Sequence, residues 1–530
     1  MTKPIGRVVK TGGMLATCHL DRKKMLNSRG TPGGVELAAS SVGGLVKISV
    51  GDRLLIAIMF ELAQSADSPG LVIAKIEFLG EGRANADGNL ADFRRGVDVF
   101  PMPGDSVSLA TDADFKAIYA PPDNPHIMLG VVHPTVDTRA PILFESLLGR
   151  HFAIVGSTGT GKSTLVSLLL RRILEKAEHA HVVVLDPHGE YSHAFGEQAT
   201  VWDVENFKLP YWALNLAEHC EAFATGTEAD AVVTRNIMAN CLQRARARNV
   251  RLSDAAKITA DNPIPYQLAD LTGAIDEEAG RLEKQADASH FTQLRLAIER
   301  RFNDPRFSFI FNRDFFNLSL EGFLGDLLRI PGDGKPVSII DLAGVPTEVV
   351  NLIVGTLSRL TLDYAIRTPR AERAPVLLVC EEAHRYLPRE QSAATAAVQR
   401  QLERIAREGR KYGVCLGIVS QRPSELSSTA LSQCGTVLAL RLNNIEDQAQ
   451  LKASLSEGSR SMVDVIASLR NRECIAAGDG VPTPMRIRID TIEEGLKPDS
   501  YDESFADKWQ NETATENDLA ATVRRWREGI

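Results

Sequence analysis

Gly156-Ser-Thr-Gly-Thr-Gly161-Lys162-Ser163 is the stretch on which the reading of this chain turns. The apolar run Phe152-Ala-Ile-Val155 precedes it and Thr164-Leu-Val-Ser-Leu-Leu-Leu170 follows. That is the strand–loop–helix setting in which the pattern G-x-x-x-x-G-K-[ST] cradles phosphate. Gly156, Gly159 and Gly161, with Ser157, Thr158 and Thr160 between them, allow successive backbone N–H groups to converge on phosphate oxygens. The helix that begins there, with Thr164 in its first turn, adds the positive end of its dipole. Lys162 has the reach for β- and γ-phosphates, and the Ser163 hydroxyl suits Mg²⁺. A Gly/Ser/Thr-rich surface turn is the alternative, and it leaves both flanks unexplained. The expected ligands are ATP and Mg²⁺.

The chain has 530 residues, 44% hydrophobic and 24% charged, which is ordinary for a globular protein with more than one domain. Its formal net charge of −8 argues against a wholly basic coat, so any nucleic-acid surface has to be local, a groove or channel. Seven cysteines (18, 220, 241, 380, 415, 434 and 474) include no C-x-x-C pair, and several lie in apolar runs. A reduced, buried set is expected rather than disulfides or zinc. No signal-like segment opens the chain and no apolar run approaches a membrane span, so a cytoplasmic protein is expected.

Up to about residue 135 short β-like segments with glycine punctuation prevail, such as Gly44-Leu-Val-Lys-Ile-Ser-Val50 and Leu71-Val-Ile-Ala-Lys-Ile76. They suggest a small β-barrel. From about 140 strands alternate with helical segments. Candidate strands are His151–Val155, His181–Leu185, Val337–Asp341, Val376–Cys380, Val414–Ser420 and Thr436–Leu442. Near-continuous apolar strands of this kind imply a parallel sheet covered on both faces. Between 216 and 330 helical spacing takes over, which reads as an α-helical insertion. Arg244, Arg246, Arg248 and Arg251 form a basic stripe there, expected to be a solvated face. After about 490 the chain turns polar, with Asp502-Glu503 and two tryptophans, Trp509 and Trp526, suited to pin it onto a surface.

Pro375-Val-Leu-Leu-Val-Cys-Glu381-Glu382-Ala-His384 is an apolar strand ending in two carboxylates. Beside a phosphate loop, one carboxylate can hold Mg²⁺ through water and the next can align or deprotonate the attacking water. Glu381 takes the metal side and Glu382 the base. Gln421, at the tip of the strand Val414–Ser420, is placed to sense the γ-phosphate; a turn before Pro423 is the alternative. In Asp186-Pro-His-Gly-Glu190-Tyr191, Asp186 or Glu190 either positions metal or water, or the loop is a structural turn. Arg400, Arg404, Arg407, Arg410 and Lys411 recur at helical spacing. One of them can stabilise phosphoryl-transfer charge, or all can pair with Glu403 and Glu408. Arg150 precedes the phosphate-loop strand, at the end away from its own nucleotide, so it can act only on a neighbour's site.

Read in order, these motifs resemble the HerA family of hexameric ATPases, relatives of the FtsK-type DNA translocases. The likeness is carried by Leu147-Leu-Gly-Arg-His-Phe-Ala-Ile-Val-Gly-Ser-Thr-Gly-Thr-Gly-Lys-Ser163, Leu185-Asp-Pro-His-Gly-Glu-Tyr191 and Leu209-Pro-Tyr-Trp-Ala-Leu-Asn215. Glu381-Glu-Ala-His384, Arg404-Ile-Ala-Arg-Glu-Gly-Arg-Lys-Tyr-Gly413 and Ile418-Val-Ser-Gln-Arg-Pro423 complete it. The resemblance implies an α/β fold with a RecA-like P-loop core at 136–215 and 331–490. It further implies a ring-assembly barrel at 1–135, a helical insertion at 216–330 and a C-terminal brace at 491–530. It also implies a homo-hexamer that pumps double-stranded DNA and works with a nuclease or defence effector, such as an NAD-consuming enzyme. By the same likeness Arg150 fits a trans-acting finger and Arg407 a second arginine near the nucleotide. Glu381 departs from the family, which usually has Asp there, one methylene shorter.

The leading expectation is an ATP-hydrolysing motor on DNA. The alternative is a ring that uses ATP binding to assemble a partner effector, with little translocation. No Leu-Ser-Gly-Gly-Gln-like signature supports a transporter ATPase, and the acidic strand followed by Gln421 suits hydrolysis better than a metabolic kinase.

Overall fold

A computed structural model describes residues 3–528 apart from 29–39, 67, 224–227, 250–256, 282–287, 393, 500–508 and 511–515. Arg251 and the Asp502-Glu503 pair lie outside the described residues. The chain forms two compact units, one of residues 1–185 with 358–497, the other of 186–357 with 498–530.

The first unit opens with a closed barrel. Strands β1 (Gly6–Gly12), β2 (Leu15–Asp21), β3 (Leu45–Val50), β4 (Arg53–Gln64), β5 (Leu71–Ala84) and β7 (Ser106–Leu109) follow the order β2-β1-β7-β3-β4-β5, and β2 pairs back onto β5. Strand β6 (Leu90–Arg95) adds to the outside of β5. Closure removes the exposed edges that a sheet this small would otherwise present. Period-2 alternation sends Cys18, Leu20, Val46, Ile48, Leu55, Ile76, Phe78 and Val107 to the interior. A buried pair, Lys47 Nζ to Asp114 Oδ2 at 2.8 Å, fastens β3 to the short helix Asp112–Ile118, which Thr111 caps.

The same unit contains a larger sheet, in the order β11-β14-β15-β10-β16-β17-β18-β8-β9. Strands β11 (Val182–Asp186), β14 (Val376–Cys380), β15 (Val414–Ser420), β10 (His151–Val155) and β16 (Cys434–Ala439) are mutually parallel. Every residue of β10, β11, β14 and β15 is buried, as expected of strands covered on both faces. Strands β17 (Glu473–Gly478), β18 (Met485–Ile489), β8 (His126–Val132) and β9 (Arg139–Leu143) continue the sheet antiparallel. Here the structure corrects the sequence reading. β8 falls within the segment assigned to the barrel, yet it hydrogen-bonds to β18, with Ile487 opposite Val132.

The second unit pairs β12 (Ala199–Trp202) with β13 (Val337–Asp341) in parallel and carries helices Leu216–Phe223, Glu228–Ala247, Leu268–Ala279, Ala288–Asn303 and Leu320–Leu328. Tyr211, Phe223, Tyr266, Phe302 and Phe311 pack edge-on or tilted in its core. Within the arginine stripe Arg246 departs from the expected solvated face, while Arg248 stays exposed. Arg246 is fully buried and donates to the carbonyls of Ala260, Trp212 (3.0 Å) and Leu214 (2.8 Å). Arg244 pairs with Glu277 and Glu278, and Arg248 with Asp270 and Glu277.

By length and composition alone one helix, Thr347–Arg367, could cross a membrane, but 83% of its apolar window is buried within the protein, as in a core helix. All seven cysteines are free, and six are buried. Trp526 and Trp509 are each 82% exposed.

Candidate active site at the phosphate loop

Strand β10 delivers the loop and the helix Lys162–Lys176 leaves it. The loop is fastened on both sides, Gly156 N–H to the Ser420 carbonyl at 3.2 Å and Ser157 N–H to the Arg441 carbonyl at 3.0 Å. Gly159 and Gly161 have φ of 74° and 97°, the left-handed region that only glycine enters freely. Gly156 is needed for space, because a Cβ there would lie 2.8 Å from Leu440 Cβ and 2.9 Å from Thr160 Oγ1. Thr160 is buried and its hydroxyl donates to the Ser157 carbonyl at 2.6 Å, closing the loop on itself. Ser163 and Thr164 are half-buried in the first turn of the helix.

Glu381 and Glu382 follow β14, 4% and 3% exposed. Glu382 has φ 48° and ψ 44°, a left-handed backbone that costs a non-glycine residue roughly 1–2 kcal/mol. The turn after it holds that geometry, with Arg385 N–H on the Glu382 carbonyl at 2.9 Å and Leu387 N–H on the Ala383 carbonyl at 2.8 Å. The result turns the carboxylate toward the phosphate loop. Lys162 Nζ lies 3.3 Å from Glu382 Oε1 and Gln421 Nε2 donates to the same oxygen at 2.5 Å. The Gln421 carbonyl oxygen accepts from the Thr158 hydroxyl, so one amide bridges the loop and the acidic strand. On the other side His384 Nδ1 lies 3.3 Å from Glu382 Oε2 and 3.3 Å from Ser420 Oγ. Burial pushes the His384 imidazole below its ordinary range, with the Glu382 carboxylate opposing. The sequence reading assigned His384 no part; its one signal was its position two residues past Glu382, at the mouth of the same strand.

Ser157, Thr158, His384 and Gln421 line a cleft of about 1190 Å³ together with Arg389, Arg422, Asn444 and Asp447. For Mg²⁺, Ser163 offers one hydroxyl and Glu381 one buried carboxylate. No group of three or more His, Cys, Asp or Glu suited to a metal occurs among the described residues. That donor set fits an ion that keeps several waters and takes its remaining oxygens from phosphates. In the second unit, Asp186 is buried, with its carboxylate accepting the N–H groups of His188, Gly189 and Tyr191. These bonds are those of a turn.

Arg150 and Arg407 are not at this end of the sheet. Arg150 is half-exposed beside the first residue of β10 and paired with Asp479. It stands about 20 Å of extended chain from Gly156 at ~3.3 Å per residue. Arg407 pairs with Glu403 at 3.5 Å. Arg150, Arg407, Arg410 and Lys411 share a recess of about 660 Å³.

A glycine-gated phosphate loop, a buried acid at its lysine and a glutamine bridging the two define a P-loop ATPase with a RecA-like core. The family model described as "Helicase HerA, central domain" matches residues 127–361. The DNA double-strand break repair helicase HerA of Sulfurisphaera tokodaii is 26% identical over 523 residues, 97% of this chain and 95% of that one. A probable helicase of Methanocaldococcus jannaschii is 27% identical over 429 residues, 80% of this chain and 77% of its own length. VirB4 of Thermoanaerobacter pseudethanolicus shares the fold, with TM-score 0.50 at 14% identity, covering 71% of this chain and 100% of that one. Over residues 127–361 the chain matches the HerA central domain, and it is similar to these helicases along most of its length.

Proposed function

We propose that this chain is an ATP-driven motor acting on duplex DNA as a ring of identical subunits, six by family likeness, with a nuclease or defence effector as partner. The observation that carries the chemistry is the meeting of Lys162, Gln421 and Glu382 in one contact set. The DNA assignment rests on relatives named as DNA double-strand break repair helicases. In this reading the barrel of β1 to β7 assembles the ring, β8 with 136–215 and 331–490 forms the motor core, 216–330 the insertion and 491–530 the brace.

An entering triphosphate draws Lys162 from Glu382 to its β- and γ-phosphates, since a phosphate chain carries more charge than one carboxylate. Ser163 and Glu381 would hold Mg²⁺, which would neutralise phosphate charge. Glu382, released from its lysine, orients the attacking water and accepts its proton, while Gln421 reports the γ-phosphate to Thr158. Arg150 and Arg407 serve the nucleotide of a neighbouring subunit. Their common recess at the far end of the sheet supports that role.

The test is ATP turnover by the full chain, purified with whatever co-elutes, with and without duplex DNA, beside Glu382→Gln. Turnover should rise with DNA, less so at high salt because phosphate contacts weaken. Glu382→Gln should lose roughly 10²–10⁴-fold of it while still binding nucleotide. DNA-indifferent turnover, with partner activity intact in Glu382→Gln, would support the scaffold reading instead.

A further inference from the structure

We infer that His384 is a positioning residue for hydrolysis, holding Glu382 Oε2 from the side away from the phosphates. This rests on the reading of Glu382 as the base. Glu382 is gripped from three directions, and the three grips differ in what happens when nucleotide arrives. Lys162 and Gln421 both hold Oε1, and both belong to the phosphate side. Lys162 leaves for the phosphates and Gln421 turns to the terminal one, so neither can fix the carboxylate at the moment of reaction. His384 alone among the contacts described here holds Oε2, and it comes from the same turn that sets the left-handed backbone of Glu382.

His384 Nδ1 lies 3.3 Å from both Glu382 Oε2 and Ser420 Oγ, and Ser420 Oγ itself accepts the Arg422 N–H at 3.1 Å; the positioning role requires the tautomer that carries the imidazole proton on Nδ1. Ser420 ends β15, the strand next to β14, and its carbonyl takes the Gly156 N–H at 3.2 Å. The imidazole therefore locks the base to a strand that is itself locked to the phosphate loop. Holding a general base within a fraction of an ångström of its water is worth one to two orders of magnitude in rate when lost. Substrate affinity, which is set by the loop and Lys162, is not touched.

Three variants of the full chain separate positioning from folding. In His384→Asn the side-chain amide nitrogen stands where Nδ1 stood; in His384→Gln it reaches the position of Nε2; in His384→Ala there is no donor. Steady-state ATP turnover should give a kcat about 10- to 100-fold lower for His384→Ala and His384→Gln, with KM for ATP within about threefold. His384→Asn should recover to within about threefold of the parent. The inference is overturned if all three variants share one kcat, or if kcat and KM move together in each. Full turnover in Glu382→Gln would overturn the base assignment itself. A dead Glu382→Gln beside an unaffected His384→Ala would remove this inference alone.

Discussion

Asp186 shows what one buried carboxyl can do to stability. It is 1% exposed, and burial, with repulsion from Asp341, outweighs three backbone N–H bonds and pushes its pKa up to about 6. The sign follows from proton linkage. The native state holds this proton more tightly than the unfolded chain, whose aspartates ionise near about 3.9. The stabilising contribution is thus complete below about pH 4 and is lost as pH rises through about 6, a swing of roughly 3 kcal/mol. Melting temperature should fall between pH 4.5 and 7 more steeply in the parent than in Asp186→Asn, measured side by side by calorimetry. Equal slopes would refute the assignment. At this scale the phosphate loop was legible because its chemistry needs particular residues at fixed spacing. Gln421 was legible as a strand-tip amide, but its bridge to Thr158 was not, since sequence does not say which groups share a side chain. The burial of Arg246 was hidden for the same reason: three backbone carbonyls from distant segments receive it, and none leaves a mark on composition.

Strands separate into those that announce themselves and those that do not. His151–Val155, Val337–Asp341, Val376–Cys380 and Val414–Ser420 stand at the bounds expected from their apolar runs, because burial on both faces leaves no polar alternation to blur the ends. β17 and β18 carry Glu473, Arg486 and Arg488 among their apolar residues, and β8 finds its partner β18 far along the chain. A one-faced antiparallel strand with a distant partner reads like a loop or like the nearest β-rich segment, which is how β8 came to be counted with the barrel. Within the helical unit, Arg246 ties the helix Glu228–Ala247 to the segments at 212–214 and 260. Arg246→Met should leave those carbonyls buried without donors and destabilise the unit by roughly 3 kcal/mol or more. Limited proteolysis should then cut within 186–357 at lower temperature than in the parent. Unchanged resistance would show that the clamp contributes little.

For the whole molecule, the net charge of −8 and the recess of Arg150, Arg407, Arg410 and Lys411 set the terms. Cations gathered at the end of the sheet away from their own phosphate loop have no nucleotide to act on within one chain. In the ring proposed above a neighbour's nucleotide would lie within their reach, and turnover would then depend on assembly. The most direct measurement is a high-resolution structure of the assembled protein with a non-hydrolysable ATP analogue. The expected result is Lys162 Nζ on the β- and γ-phosphates, Glu382 parted from it, and Arg150 of the adjoining copy within hydrogen-bond distance of the same nucleotide. Lys162 still paired with Glu382 while nucleotide is bound, or no arginine of another copy near the phosphates, would contradict it.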